Sequence, residues 1–331
     1  MAARPGPRNL ITDVGGLEVG CAQDAAAVTG VTVIRPLRRA VAAVVVAGGG
    51  PGTRETDALA PDTLVDAVDA VVLSGGSVYG LAAADGVAAA LGARGEGFSL
   101  RAAPGVPVSP IVPAAVLYDL ANGGAKGWGE APPYRALGVQ ALAACAASVP
   151  LGRQGAGLGA RAGQAWGGQG SASVATDDGL LVGALAAVNA FGSTRLPGTD
   201  VFWAWPFEQG DEFGGARPPA GYALDLDDWG ASKAAPAPAA GRLNTTLGCV
   251  AVNIALTPAQ APRVARMALA GLARAIRPVF APFDGDVVFC LSTGEAAQGE
   301  ATPACVARLG ELAAACLARS VARGVYAASR G

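Results

Sequence analysis

Short apolar runs, each halted by a glycine-rich loop, narrow the folds open to this chain more than any other feature. Residues 41–47 read Val-Ala-Ala-Val-Val-Val-Ala and stop at Gly48-Gly49-Gly50-Pro51-Gly52; residues 70–73 read Ala-Val-Val-Leu and stop at Ser74-Gly75-Gly76-Ser77. An apolar run of this length bounded by turn formers is the pattern of a buried strand. Leu180 to Val188 repeats it before Asn189, Thr245 to Leu256 is strand-like again, and Asp286 to Leu291 predicts one more strand. Helical segments fall between. One spans Leu81 to Leu91. Thr257-Pro258 predicts an N-cap with proline at the first helical position. Val264, Met267, Ala268, Gly271, Leu272, Ala275 and Ile276 then recur at three- and four-residue spacing, giving one face to pack on a sheet, until Pro278 ends the helix. Residues 303–323 predict a final amphipathic helix. No internal repeat interrupts the series, so the expectation is a layered α/β fold. With 331 residues, 52% hydrophobic and 15% charged, the chain has ample material for one large core and is read as a single domain, 1–331.

The chemistry is narrowed by an absence: there is no histidine. A Ser-His-Asp triad, a Cys-His pair, an HExxH zinc site and a histidine proton shuttle are all excluded. A hydrolase built from this chain must take the nucleophile's proton with a carboxylate, a lysine or a free α-amine. No metal-ligand cluster is evident either, and neither metal nor cofactor is expected.

Net charge is −2 and no basic block occurs, which argues against nucleic-acid or membrane-surface partners. The N-terminus lacks the apolar run of a signal peptide, and no stretch reaches the roughly 18 apolar residues of a membrane span. The six cysteines, Cys21, Cys145, Cys249, Cys290, Cys305 and Cys316, form no CxxC pair and lie in apolar surroundings, so they read as reduced thiols in a cytoplasmic protein.

The glycine-rich loops do not carry nucleotide fingerprints. Thr53 stands where Gly48-Gly49-Gly50-Pro51-Gly52 would need the third glycine of GxGxxG, and no GxxxxGK[ST] exists. Gly75-Gly76-Ser77-Val78-Tyr79 approaches a nucleophile elbow, but Tyr79 replaces the final glycine and no histidine could serve Ser77. Residues 197–242 change character: Trp203, Trp205 and Trp229 stand among Pro, Gly and Asp, and the Pro/Ala tract at 235–240 reads as a flexible segment. Order resumes at Gly241-Arg242-Leu243-Asn244-Thr245-Thr246-Leu247. By itself that stretch is simply a loop entering a strand. About one helix further on, Asp284-Gly285-Asp286 puts two carboxylates on one face at a strand entrance, or makes a plain Asp-Gly turn.

Taken in order, several segments resemble the DmpA-type aminopeptidases, a group of L-aminopeptidase/D-esterases, β-peptidyl aminopeptidases and nylon-oligomer (6-aminohexanoate) endohydrolases. The matching stretches include Asn9-Leu10-Ile11-Thr12-Asp13-Val14, Gly50-Pro51-Gly52-Thr53-Arg54-Glu55-Thr56-Asp57 and Leu73-Ser74-Gly75-Gly76-Ser77-Val78-Tyr79-Gly80-Leu81. Gly170-Ser171-Ala172-Ser173, Val188-Asn189-Ala190, Asn244-Thr245-Thr246-Leu247 and Phe283-Asp284-Gly285-Asp286 continue the series. The resemblance implies a four-layer αββα sandwich of the N-terminal-nucleophile-hydrolase type. It also implies self-cleavage between Asn244 and Thr245, giving a large subunit 1–244 and a small subunit 245–331, and assembly as a homotetramer. Thr245 becomes the nucleophile, Asp284 contacts its hydroxyl or amine, Asp286 orients Asp284, and the Asn189 side-chain amide donates to the oxyanion. Where the nylon-hydrolase branch has a lysine before paired glycines, this chain has Trp166, which could line an acyl pocket; Tyr134 is a second pocket candidate.

The implied chemistry suits a chain without histidine. An α-amine has a pKa of about 7.7, so roughly a sixth of it is neutral at pH 7 and burial raises that share. One threonine thus supplies both nucleophile and base. The expected activity is hydrolysis of a small peptide-like amide or an ω-amino-acid oligomer through a Thr245 acyl-enzyme. Two alternatives stand beside it: acyl transfer of the ornithine-acetyltransferase type, and an uncleaved, non-catalytic binding scaffold.

Overall fold

Branched apolar residues make the strands of this chain, and the cover each strand needs makes its layers. The computed structural model describes residues 3–234, 244–296 and 301–331; the Pro/Ala tract and residues 241–243 of the cleavage motif lie outside these. The strands are β1 (Ala3–Arg4), β2 (Leu17–Asp24), β3 (Thr29–Pro36), β4 (Val41–Val46), β5 (Thr53–Arg54), β6 (Val71–Ser74) and β7 (Ala114–Val116). They continue as β8 (Arg161–Ala162), β9 (Ala165–Trp166), β10 (Gly168–Thr176), β11 (Leu181–Asn189), β12 (Thr245–Val252) and β13 (Val287–Ser292). The helices are α1 (Ala82–Ala93), α2 (Tyr134–Ala143), α3 (Ala261–Ala273) and α4 (Pro303–Ala328).

Two sheets carry the structure. One runs β1-β10-β11-β12-β13-β4 and the other β2-β3-β6-β7-β5. Ile11, Ile34, Leu73, Leu117, Leu185, Leu247 and Phe289 fill the space between them. Outside the first sheet, Val264 and Leu272 of α3 and Leu317 and Val325 of α4 pack on Val182, Val250 and Val288. Outside the second, Val87 and Leu91 of α1 and Leu137 and Leu142 of α2 cover Val31, Val33 and Val72. Helices, sheet, sheet, helices: this is the αββα sandwich the resemblance implies.

β12 shows why the order is fixed. Leu247, Cys249 and Ala251 point between the sheets, while Val250 and Val252 point at the helices. A strand buried on both faces shows no polar alternation, hence the unbroken apolar run in the sequence. It lies between β11, antiparallel, and β13, parallel.

Helix α3 begins at Ala261, later than the cap signal suggested. Thr257 and Gln260 first close a turn of their own: Gln260 N–H donates to Thr257 Oγ1 at 3.2 Å and Thr257 N–H to Gln260 Oε1 at 3.1 Å. Helix α4 passes the expected end and continues to Ala328. It can lie close on β10 because Gly170 has no side chain; a Cβ there would come within 1.9 Å of Ser320 O. The side chain of Arg319 on α4 is 1% exposed and forms a double hydrogen bond with Glu212 at 2.5 and 3.0 Å, with further bonds to Ser173 O and Asn9 Oδ1. All six cysteines are free thiols. Among the described residues no helix is long and apolar enough to cross a membrane.

Candidate active site

Sheet pairing assembles the site from segments far apart in sequence. Thr245 is the first residue of β12, and its register partner across the antiparallel pair is Asn189, the last residue of β11. On the other side Asn244 makes a parallel bridge with Asp284, just ahead of β13. One sheet end thus gathers Asn189, Asn244, Thr245, Asp284 and Asp286. All five are buried.

The 244–245 junction is held by several donors and acceptors. Thr245 Oγ1 donates to the Asn244 carbonyl at 2.5 Å, and Gly285 N–H donates to the same oxygen at 2.7 Å. Asn244 N–H donates to Phe283 O at 3.3 Å. The absence of a side chain at Gly285 leaves room for the nucleophile: a Cβ would stand 2.6 Å from Thr245 Oγ1 and 2.8 Å from Gly50 O. Thr245 opens onto a cavity of about 390 Å³ whose walls include Gly50, Thr53, Ser77, Val116 and Tyr118.

Asn189 is locked by its surroundings. Its Oδ1 accepts from Arg161 N–H at 2.9 Å and from Asn122 Nδ2 at 3.2 Å, while its Nδ2 donates to Tyr118 O at 2.9 Å. A carboxamide nitrogen has two hydrogens, so this anchoring occupies one and fixes the direction of the other.

The two aspartates have different attachments. Asp286 Oδ1 accepts from Thr246 N–H at 2.5 Å and Oδ2 from Phe280 N–H at 3.2 Å, so this carboxylate fixes the backbone just past Thr245. Asp284 Oδ2 accepts from Ala281 N–H at 3.1 Å. Its Oδ1 is buried and meets no hydrogen-bond donor among the described residues. Burial pushes the Asp284 pKa up, against the opposing pull of the Ala281 and Phe191 N–H groups and the Lys233 ammonium. Burial first, and the Asp284 charge second, lift Asp286 to about 7. Two neighbouring carboxylates in a poorly solvated site resist being charged together, so the pair holds a proton at pH values where an exposed aspartate has lost it.

Lys233 is the residue that sequence reasoning passed over. Its Nζ donates to Asn244 Oδ1 at 2.6 Å and to Asn189 O at 3.4 Å, and its backbone N–H donates to Phe191 O at 2.9 Å. It lies in the irregular stretch after β11, where no periodicity marks a position; its only signal was rarity, one of two lysines in the chain. Ser77 also belongs to the cavity wall, in a left-handed backbone conformation at φ 52°.

Trp166 and Tyr134 stand apart. Two guanidinium groups lie over the Trp166 ring, Arg153 at 3.9 Å and Arg161 at 4.4 Å from its centre. Tyr134 is fully buried under the second sheet, its hydroxyl donating to Thr29 Oγ1 at 3.3 Å, its ring against Gly76 and its pKa pushed up by burial. Neither side chain lines the cavity at Thr245. Among the described residues, no group of three or more His, Cys, Asp or Glu side chains is disposed to hold a metal ion.

Comparison with known proteins places the chain in a family. The profile of Peptidase family S58 matches residues 9–330. An uncharacterized aminopeptidase of Mycobacterium bovis is 43% identical, the match covering 96% of this chain and 93% of that protein. A 6-aminohexanoate-oligomer endohydrolase of Kocuria sp. is 29% identical over 88% of this chain and 76% of its own length. Among solved structures, a Burkholderia sp. β-aminopeptidase superposes with a TM-score of 0.69 at 21% identity, covering 98% of this chain and 88% of that one. The L-aminopeptidase D-Ala-esterase/amidase of Ochrobactrum anthropi, described as a variant of the Ntn hydrolase fold, gives 0.68 at 19% identity, covering 98% and 87%.

Proposed function

Because this chain belongs to peptidase family S58, we propose that it cuts itself between Asn244 and Thr245 and then uses Thr245 as an N-terminal nucleophile. It is a hydrolase of amide or peptide bonds. The observation that carries the finer reading is the register of the sheet: Asn189 opposite Thr245, and Asp284 bridged to Asn244, at the mouth of a 390 Å³ cavity.

In the first reaction the Thr245 hydroxyl attacks the Asn244 carbonyl carbon. The C–N bond breaks, the nitrogen ends with the proton, and an ester joins the Asn244 acyl group to Thr245 Oγ1. Water hydrolyses that ester to a carboxylate at Asn244 and a free Thr245. The Gly285 N–H, 2.7 Å from the Asn244 carbonyl oxygen, stabilises the charge that develops there. Asp284, whose pKa burial raises above the ordinary carboxylate value, is the carboxylate that takes the hydroxyl proton before any α-amine exists. In later turnovers the Thr245 amine assumes that task, Asn189 Nδ2 adds a donor to the oxyanion, and Asp286 holds the Thr246 backbone in place. The substrate is a small peptide-like amide with a free amino end or a linear ω-amino-acid oligomer, in keeping with the activities named for the relatives.

Incubation of the purified precursor tests this. Two bands on denaturing electrophoresis, one starting at Thr245, and hydrolysis of an aminoacyl p-nitroanilide are expected. Thr245→Ala abolishes both; amidase activity retained in that variant would refute the assigned nucleophile.

A further inference from the structure

If Thr245 cuts the 244–245 bond, the intermediate of that cut is chemically an acyl-enzyme: an ester whose acyl group is asparaginyl. Every later turnover passes through the same linkage, on the same oxygen. The contacts of Asn244 in the uncut chain are therefore contacts to the acyl half of a first, built-in substrate. Among the described residues, three groups besides Thr245 itself hold it. Phe283 O receives its N–H at 3.3 Å, Gly285 N–H donates to its main-chain carbonyl at 2.7 Å, and Lys233 Nζ donates to its side-chain carbonyl at 2.6 Å. Asn244 is 1% exposed, so these contacts form in a site nearly closed to water.

The first two contacts would serve any α-amino acyl group. The third distinguishes among them. Within the autoprocessing reading on which this rests, we propose that Lys233 is the specificity residue of the mature enzyme, selecting amides whose acyl half is an asparaginyl residue. The requirement is a side-chain carbonyl three bonds from the acyl carbon, on a residue whose α-amine faces Phe283 O. An apolar residue of the same shape, such as leucyl, leaves the ammonium facing hydrocarbon, and a partly buried charged donor discriminates against a missing acceptor. Lys233 also touches Asn189 O at 3.4 Å, which keeps its head group at the site after Asn244 has left. In turnover, Thr245 Oγ1 displaces the amine, which leaves with a proton; water then cleaves the ester, releasing asparagine and restoring the hydroxyl.

The test compares L-asparaginyl and L-leucyl p-nitroanilides on the processed enzyme. The expected kcat/KM favours asparaginyl by roughly ten- to a hundredfold, the range for a hydrogen bond to a charged group. In Lys233→Met the ratio falls toward one, and Lys233→Arg keeps part of it. Asn244→Leu, read on the precursor alone, slows self-cleavage by a comparable factor, which needs no folded Lys233 variant. Cleavage at Thr245 and leucyl hydrolysis without asparaginyl preference overturn this inference and leave the nucleophile assignment standing, as does a preference that survives Lys233→Met. Absence of both cleavage and hydrolysis overturns the two together.

Discussion

Replacing Gly285 with alanine perturbs the nucleophile without removing any reacting group. The added methyl would lie 2.6 Å from Thr245 Oγ1, where ordinary contacts begin at 3.4 Å, so the hydroxyl must retreat by about 0.8 Å. Relief in the other direction is blocked, since Gly50 O stands 2.8 Å from the same methyl. Displacement of a reacting atom by about 1 Å costs on the order of a hundredfold in rate. Crowding of this size costs about 1–3 kcal/mol of stability, which leaves a large core folded. The expectation is self-cleavage and p-nitroanilide turnover both slowed about a hundredfold, with a cooperative melt preserved. Gly127→Ala is the matched control, because a Cβ at that position meets nothing within 4 Å. Rates should be read by electrophoresis over a time course and by release of p-nitroaniline. Wild-type cleavage and turnover in Gly285→Ala would refute the argument that Thr245 Oγ1, in this position, is the attacking atom.

Three other expectations follow from the geometry. Asn189→Ala removes the anchored carboxamide and should lower kcat by about 10²–10³-fold with a smaller change in KM; an unchanged kcat would exclude it from the oxyanion site. Asp286, lifted to about 7 from 3.8, binds a proton in the folded protein that the unfolded chain has already lost. The stability this contributes is complete below about pH 4 and fades as pH rises through 7, by up to about 4 kcal/mol. Melts from pH 4 to 8 should therefore be flatter in Asp286→Asn than in wild type, and parallel curves would contradict the assignment. Arg319→Met removes the double hydrogen bond to Glu212, which keeps Asn9 Nδ2 at 2.6 Å and Arg323 Nε at 3.4 Å, and should cost about 2–3 kcal/mol in urea unfolding.

Much of this architecture was legible because its central strands are uniformly apolar. β4, β6, β11, β12 and β13 all stood out as runs closed by glycine, asparagine or a turn. β10 did not, since Gln169, Ser171 and Ser173 interrupt its pattern; each is buried, and each is satisfied by a partner no sequence reveals, such as Ala184 O for Ser171 and Asp13 for Ser173. β2 and β3 were hidden in the same way, by a glutamate, a glutamine, glycines and threonines. At the site, Asn189, Thr245 and the aspartate pair came from family motifs, and pairing of β11, β12 and the approach to β13 supplies the spatial reason they converge. Lys233 and Asn122 carry no motif, and their relevance exists only once the chain is folded. Trp166 and Tyr134 lie away from the cavity at Thr245 for an equally physical reason: a large aromatic side chain is as well used against guanidinium groups or beneath a sheet as in a pocket.

The place of β12 in its sheet has a consequence for any protein cut at its first residue. Both flanks of this strand are laced by main-chain hydrogen bonds to neighbours, one belonging to each side of the cut: β11 precedes it and β13 follows. Neither fragment could close a hydrophobic interior unaided, because residues 245–331 would present two bare strands and residues 1–244 a sheet split down its middle. Scission would thus liberate a terminus without liberating a subunit, and the pair should part only when the whole molecule unfolds.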